Sequence, residues 1–201
     1  MIPQKLKIGD GVRIIAPSRS LSLPWITDEQ QQIAIKRLNE LGLVVSFGKH
    51  VKEIDEFQSS SIQSRVTDIH ETFLDSSIKL IITVIGGCNS NQILSSLNYD
   101  IIKSNPKILC GFSDITALTN AIYQKTGLVT YSGPHFITFG DKKGVDYSLE
   151  YFEKCLFTTN SFEIKPSQQL SYDRFSLDQE NRTFIKSVSI HITKIFLFAF
   201  K

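Results

Sequence analysis

The sequence predicts an α/β fold in which a mostly parallel sheet is flanked by helices. Short apolar runs alternate along the chain with longer segments of helical periodicity, and Gly or Pro residues stand at many of the junctions. An uninterrupted apolar run is typical of a strand buried on both faces, as strands of parallel sheets are. No internal repeat or low-complexity segment interrupts the alternation, so βαβ units are expected.

Five apolar runs are predicted as strands of this sheet. In chain order they are residues 12–16, 43–47, 80–85, 108–112 and 128–131. Pro17 stops the first run, and Gly86 closes the third. A further short strand is predicted at 162–165, where the organisation of the chain changes.

The helices are predicted from apolar spacing and from capping residues. The clearest covers residues 62–73, where apolar side chains recur at steps of four, three and four. An earlier helix opens with Thr27 and Gln30 as a capping box and stops at Gly42. Shorter helices are predicted at 91–94, 115–122 and 151–156, the second ending near Gly127.

Length and charge narrow the classes of function. The 201 residues, 41% hydrophobic and 21% charged, fit one soluble domain, or one and a fragment. The net charge is +2 and the basic residues form no stripe, which excludes nucleic acid as an expected partner.

Cysteine use and the apolar runs predict the compartment. Cys88, Cys110 and Cys155 are too far apart for a metal-binding pair, and their odd number favours a reducing cytosol. The amino terminus lacks the apolar core of a secretory signal. The longest apolar run, 195–200, is far shorter than the roughly 20 residues of a membrane-spanning helix. A cytoplasmic protein without a membrane partner is therefore expected.

A serine at a strand-to-helix junction is the first candidate for chemistry. Gly111-Phe112-Ser113-Asp114 lies between a predicted strand and a predicted helix. Such a turn exposes the serine hydroxyl beside a helix N-terminus, which favours developing negative charge. Only the first half of Gly-x-Ser-x-Gly is matched, because Ile115 replaces the second Gly. The alternative is that Ser113 only caps the helix.

The glycine pair after the third strand is the second candidate. Gly86-Gly87 can leave backbone N–H groups free to bind an anion or an oxyanion. The alternative is a tight turn that needs positive φ. The pair lacks the Lys of a nucleotide phosphate loop, so a nucleotide-binding flavodoxin-like domain has little support.

No histidine has the sequence context of a general base. His70 is predicted to be solvated on its helix, and His50 to lie at the rim of a loop. His135 follows a strand end on the presumed active face, where it could contact substrate. Cys88 and Cys110 are expected to pack as small apolar residues rather than act as nucleophiles.

Several ordered motifs resemble the LD-carboxypeptidase family. They are Ala16-Pro17-Ser18, Ile85-Gly86-Gly87, the run 111–118 and the run 126–134. The resemblance covers residues 5 to about 184 of the chain. The runs 89–94 and 178–182 are most similar to the branch that includes the microcin C self-immunity peptidases.

The resemblance implies a serine peptidase with a Ser-His-Glu triad. It makes Ser113 the nucleophile and the backbone N–H groups of Gly87 and Asp114 the oxyanion hole. It implies no metal or organic cofactor. Two substrates are implied. One is a small peptide, the murein tetrapeptide, which loses its terminal D-alanine, and the other is an aminoacyl-nucleotide. Members of the family are commonly homodimers.

The chain departs from the family near its end. The family carries the triad Glu and His in a C-terminal domain, whereas the likeness here fades after Phe184, and neither Glu180 nor His191 has the family's context. We therefore expect an N-terminal nucleophile domain at 1–150, a linker and start of a second domain at 151–186, and a divergent tail at 187–201. On this hypothesis the chain is truncated or frameshifted and inactive alone. The alternative is a non-catalytic remnant or a binding module of the same fold.

Overall fold

Four parallel strands form the central sheet of the computed structural model, which describes residues 1–173 and 180–186. They are β1 (Gly11–Ile15), β2 (Val44–Phe47), β3 (Ile78–Thr83) and β4 (Ile108–Cys110). Their order in the sheet is β2-β1-β3-β4, and every neighbouring pair is parallel. All four carboxyl ends therefore lie at one edge, where open α/β sheets bind their ligands. The predicted α/β class is confirmed.

Among the described residues, six α-helices and one 3-10 helix surround the sheet. The α-helices are α1 (Asp28–Glu40), α2 (Ile62–Leu74), α3 (Tyr99–Ser104), α4 (Ile115–Thr126), α5 (Phe136–Phe139) and α6 (Asp146–Phe157), and the 3-10 helix is Ser90–Ser96. No helix among the described residues is long and apolar enough to cross a membrane.

The sheet buries side chains on both faces, as its apolar strands predict. One core packs alternate strand residues such as Ile14 and Ile82 against α1, α5 and α6. The other packs Ile15 and Ile81 against α2, α3 and α4. Successive side chains of a strand point to opposite faces, so β1, β3 and β4 contribute to both layers, whereas β2 packs Val45 and Phe47 against the first core only. Phe73 is fully buried at the end of the apolar stripe of α2.

The predicted helix boundaries are largely confirmed where capping residues mark them. Thr27 is the N-cap of α1, and its hydroxyl accepts a 3.1 Å hydrogen bond from the Gln30 N–H. Gly127 ends α4 in the left-handed region at φ 73°, which glycine adopts without a steric penalty.

The predicted fifth strand at 128–131 is reduced to a single parallel bridge between Tyr131 and Cys110. The Val129 N–H donates to the carbonyl of Met1 instead of to β4. Pro134, which has no N–H, then follows within three residues and disfavours further pairing. The sheet therefore ends at this edge with one bridged residue.

The strand predicted at 162–165 is wrong. The Lys165 N–H donates to the Tyr151 hydroxyl at 2.6 Å, so a side chain takes the hydrogen bond that a strand would need. The short antiparallel pair in this region is β5 (Gln169–Leu170) with β6 (Ile185–Lys186).

Two predicted helices differ from their expected form. The segment around 91–94 is 3-10 rather than α-helical, and α6 begins at Asp146, five residues before the predicted start. α6 crosses residue 150 and buries Phe152 and Leu156 in the core. The predicted division of the chain into domains at residue 150 stays a prediction. The predictions for 187–201, including His191, and for Asp178 and Gln179 lie outside the described residues.

Candidate active site

Ser113 lies in a strained turn between β4 and α4. Its φ is 60°, one of two positive values among the described non-glycine residues. A left-handed serine costs free energy and persists only where the surrounding structure enforces it. Gly111 allows the turn, because a Cβ there would lie 2.4 Å from the Thr83 Oγ1. A strained serine between strand and helix is the geometry of a nucleophile elbow.

The capping alternative for Ser113 is wrong. Asp114 is the N-cap residue of α4, and no side chain makes the capping hydrogen bond. Only the Ser113 carbonyl is used, as acceptor from the Thr116 N–H at 3.0 Å. Within residues 1–173 and 180–186 the Ser113 hydroxyl has no hydrogen-bond partner, and it faces a cavity instead.

Gly86 and Gly87 lie against this turn. A Cβ on Gly86 would stand 2.9 Å from the Ser113 Cβ and 3.1 Å from its Oγ. A Cβ on Gly87 would stand 2.3 Å from the Ser18 Oγ. Neither glycine has positive φ, so they are required here for close approach and not for the turn geometry expected as the alternative.

Two backbone N–H groups near Ser113 are left without acceptors. The Gly87 and Asp114 amides donate to no other group in the described part of the chain. The Asp114 nitrogen lies 3.4 Å from the position of a Cβ on Gly86, beside the serine. Free amides beside a serine hydroxyl are what an oxyanion hole requires.

The Asp114 carboxylate connects the turns around Ser113 by hydrogen bonds. Its Oδ2 accepts hydrogen bonds from the Ser18 hydroxyl at 2.6 Å and from the Asn89 and Ser90 amides at 3.0 and 2.9 Å. The Ser90 hydroxyl donates in return to the Asp114 carbonyl at 2.7 Å. Burial alone would raise the pKa of Asp114, but the hydrogen bonds outweigh it and lower the pKa.

Arg65 of α2 donates hydrogen bonds to the same loops. It is 3% exposed, and its Nη1 donates to the carbonyls of Pro17 and Asn89 at 3.3 and 3.0 Å. Its Nη2 donates to the Gln92 side chain at 2.8 Å. Arg65 therefore holds the turns after β1 and β3 at a fixed separation.

A cavity of about 360 Å³ opens beside Ser113. That size is within the range of small-molecule sites, roughly 300–1,000 Å³. Its walls come from the turns after β1, β3 and β4 and from the segment around α5: Arg19, Ile85, Gly86, Gly87, Phe112, Ser113, His135, Ile137, Thr138 and Asp141.

His135 lines this cavity as a buried, neutral side chain. Its Nδ1 lies 2.8 Å from the Thr83 hydroxyl, its ring stacks on Phe112 with centroids 4.3 Å apart, and its Nε2 has no hydrogen-bond partner among the described residues. Burial lowers the pKa of His135 to about 4, against the opposing effect of the Thr83 and Phe112 backbones. No hydrogen bond joins it to Ser113, so it is not placed as the base.

Asp141 is the carboxylate in the cavity wall. Burial raises the pKa of Asp141 to about 6, although nearby Arg182 and Arg37 favour the charged form. The Arg182 Nη1 lies 3.7 Å from its Oδ2, and the Arg37 Nη1 donates to its carbonyl at 2.6 Å.

The other histidines lie in local hydrogen bonds. The His50 Nδ1 lies 2.7 Å from the Asp68 carboxylate, so His50 is held in its loop. The prediction that His70 is only solvated is wrong, because its Nε2 accepts a hydrogen bond from the Asn98 N–H at 2.9 Å.

The cysteines divide between core and surface. Cys110 is buried as predicted, and burial raises the pKa of its thiol to about 12. The packing prediction for Cys88 is wrong, because this residue is exposed. The described residues contain no group of three or more His, Cys, Asp or Glu side chains placed to bind a metal ion.

The sequence motifs marked Ser113 and Gly87, and the resemblance added Asp114; Arg19 and Asp141 in the cavity wall, and Arg65 behind it, were not marked. For Arg65 a signal existed, because it lies three residues after Ile62 and four before Ile69, on the apolar stripe of α2. For Arg19 and Asp141 nothing local marks the role, since both depend on contacts between distant loops.

Comparison with known proteins places these features in a family. The sequence profile of the LD-carboxypeptidase N-terminal domain matches residues 12–133. A putative carboxypeptidase of Bacillus subtilis, YocD, is 55% identical over 184 residues, covering 92% of this chain and 56% of that protein. A probable murein peptide carboxypeptidase of the same bacterium is 38% identical over 172 residues, covering 84% and 52%. The chain thus spans about half the length of the curated relatives it matches.

Solved structures give the same picture. The crystal structure of an MccF-like protein from Bacillus anthracis superimposes with a TM-score of 0.89 at 55% identity, covering 92% of this chain and 56% of that one. The microcin C7 self-immunity protein MccF, in a complex with aspartyl sulfamoyl adenosine, has a TM-score of 0.83 at 29% identity, covering 92% and 57%.

Proposed function

The chain belongs to the LD-carboxypeptidase family, and from that premise we propose that it carries the nucleophile of a serine hydrolase, Ser113. The observation that carries the proposal is the Ser113 hydroxyl, held at φ 60° with no hydrogen-bond partner in the described residues, at the wall of a cavity. Backbone strain of this kind is costly and clusters at active sites, where the surrounding structure enforces it.

In the proposed reaction the Ser113 Oγ attacks the scissile carbonyl carbon. The new C–O bond forms as the carbonyl π bond opens, and the Gly87 and Asp114 amides bind the resulting oxyanion. The C–N bond then breaks, the amine leaves with a proton, and water hydrolyses the ester on Ser113.

The serine proton must pass to a base. No described side chain is hydrogen-bonded to the Ser113 hydroxyl, and the low pKa of His135 makes it a weak base at neutral pH. We assign the base to the His–Glu pair that the family carries in its C-terminal domain, as the resemblance implies, and not to Glu180 or His191. Without it, a serine site retains a residual acceleration on the order of 10³–10⁴ over water.

The substrate class follows from the relatives. One is named a probable murein peptide carboxypeptidase, and MccF binds an aminoacyl sulfamoyl nucleotide. We propose a small peptide or aminoacyl-nucleotide amide as substrate, in a homodimeric enzyme. A location in the cytosol is part of the proposal and is supported by the three free cysteines.

Labelling with a serine-directed fluorophosphonate tests the proposed nucleophile. The chain should react at the slow rate that the oxyanion hole alone supports, and Ser113→Ala should abolish the labelling. Ser96→Ala removes an exposed serine of the 3-10 helix and should label like the wild type. Equal labelling of Ser113→Ala and wild type would contradict the proposal.

A second function is favoured by the unpartnered Ser113 hydroxyl. A chain without a base can bind the family's ligands and not turn them over, as a binding module. Saturable binding of a muropeptide tetrapeptide in calorimetry, with no release of D-alanine and no fluorophosphonate labelling, would support this alternative over hydrolysis.

A further inference from the structure

Arg19 extends across the turn that bears the proposed oxyanion hole. It follows β1 by four residues, and its side chain passes over Gly87. A Cβ on Gly87 would lie 2.9 Å from the Arg19 Cγ and 3.5 Å from its Cδ. The stem of Arg19 therefore lies beside one of the two free amides, and Arg19 lines the same cavity as Ser113.

The Arg19 guanidinium has no protein partner in the described residues. No hydrogen bond or ion pair involves it, and its Nε is buried without an acceptor. The carboxylates nearby are engaged elsewhere. Asp114 accepts hydrogen bonds from Ser18, Asn89 and Ser90, and Asp141 lies 3.7 Å from Arg182.

We propose that Arg19 binds an anionic oxygen group of the substrate on the leaving-group side of the scissile bond. This inference rests on the proposed function, because it takes the Gly87 amide as the position of the scissile carbonyl oxygen. A buried donor without an acceptor indicates a missing acceptor. A guanidinium presents paired N–H groups that match the two oxygens of a carboxylate or of a phosphate.

The distances suit a terminal carboxylate. In a peptide that loses its last residue, the carboxylate carbon is three bonds from the scissile carbonyl carbon, through the amide nitrogen and Cα. It must therefore lie within one side chain's reach of the oxyanion hole, and the stem of Arg19 lies beside the Gly87 amide of that hole. In a nucleotide substrate, a phosphate or sulfamoyl group beside the scissile amide would present the same kind of oxygens.

Binding measurements on the full chain separate these sources. Three probes are used in calorimetry: a muropeptide tetrapeptide with a free carboxyl end, the same peptide with a carboxamide end, and adenosine monophosphate. Wild type should bind the free acid about tenfold or more tightly than the amide, since one charge-assisted bidentate pair is lost. Arg19→Gln should bind the two peptides equally, and Arg19→Lys should retain part of the preference.

The outcomes decide the inference independently of Ser113 reactivity. Lys36→Gln removes an exposed charge of α1 and controls for general electrostatics, so its preference should equal that of wild type. Dependence on Arg19 for adenosine monophosphate alone would identify a phosphate as the anion. Equal affinity of wild type for acid and amide, with nucleotide binding unchanged in Arg19→Gln, would overturn the inference, as would a lack of saturable binding of all three probes. If Ser113→Ala is labelled like wild type while Arg19 still discriminates, the proposed function fails and only the anion-binding role of Arg19 stands.

Discussion

The Asp114 carboxylate accepts a 2.6 Å hydrogen bond from the Ser18 hydroxyl. This contact joins the residue after the candidate nucleophile to the turn after the first strand, 96 positions earlier in the chain. The same Oδ2 binds the amides of Asn89 and Ser90. One oxygen therefore fixes three loops relative to each other, and the geometry of the proposed oxyanion hole depends on a side chain that the proposed reaction does not use.

Asp114→Asn should lower stability and slow the labelling of Ser113. An amide oxygen accepts the three hydrogen bonds less strongly than a charged one, and hydrogen bonds to charged groups contribute about 1.5–3 kcal/mol each. We expect the free energy of unfolding at pH 7 to fall by about 1–3 kcal/mol. Chemical denaturation and the fluorophosphonate labelling rate measure the two effects.

The pH dependence of this variant gives a second check. The folded pKa of Asp114 is below its ordinary value of 3.8, so its stabilisation is complete above that value and is lost as pH falls through the folded pKa. The difference between wild type and Asp114→Asn should shrink below about pH 4. Glu153→Gln, at an exposed position of α6, is the control; a pH-independent difference for Asp114→Asn would be inconsistent with the account.

Gly86→Ala should reduce the labelling of Ser113, because the added methyl group would collide with the serine. The added methyl would lie 2.9 Å from the Ser113 Cβ, so the serine or the turn must move. Overpacking of this kind costs about 1–3 kcal/mol, and we expect labelling to fall roughly tenfold or more, because the hydroxyl leaves the free amides.

The matched control is Gly9→Ala. Gly9 has φ +92° and no atom within 4 Å of an added Cβ, so this variant is strained without disturbing the site. It should lose about 1 kcal/mol of stability and label at the wild-type rate. Wild-type labelling of Gly86→Ala would show that the close approach to Ser113 is unimportant.

His135→Gln should change the pH dependence of stability. The folded pKa of His135 is about 4, below its ordinary value of 6.5. The unfolded chain therefore binds the proton first, and the stability due to this residue, complete above about pH 6.5, is lost as pH falls toward 4. The difference from wild type should shrink over this range by at most about 3 kcal/mol, measured by denaturation at several pH values.

Asp141→Asn should change the pH dependence of stability in the opposite direction, over the same pH range. Burial raises the pKa of Asp141 to about 6, so the folded protein binds this proton first and gains stability as pH falls from about 6 toward 4. Removing the carboxyl group should make the acid loss of stability steeper than in wild type. If the free energy of unfolding of both variants changed with pH in parallel with that of wild type, the assigned burial of His135 and Asp141 would be contradicted.

The sequence predicted what depends on local pattern. The apolar stripe of α2 and the Gly127 stop were readable because each follows from spacing or from a single residue's conformational range. The length of the strand predicted at 128–131 was overestimated. Strand pairing depends on the neighbouring strand, and the Val129 N–H donates to the Met1 carbonyl instead of to β4.

The site was predicted in part for the same reason. Ser113 and Gly87 became candidates because each occupies a marked turn, and Asp114 became one through the resemblance. The role of the Asp114 carboxylate was not, because its partners come from the turns after β1 and β3. Arg19 was missed because only the folded chain shows that its Nε is buried without a hydrogen-bond partner in the part of the chain that the structure describes.

The most direct test of the nucleophile is covalent trapping with an activated ester of a short peptide. Such an ester needs no protonated leaving group and acylates a serine held in an oxyanion hole even without the triad base. Residues 108–125 form one tryptic peptide with Ser113 as its only serine. The account predicts an acyl mass increase on Ser113 in this peptide, absent in Ser113→Ala. An adduct on another residue, or one unchanged in Ser113→Ala, would contradict it.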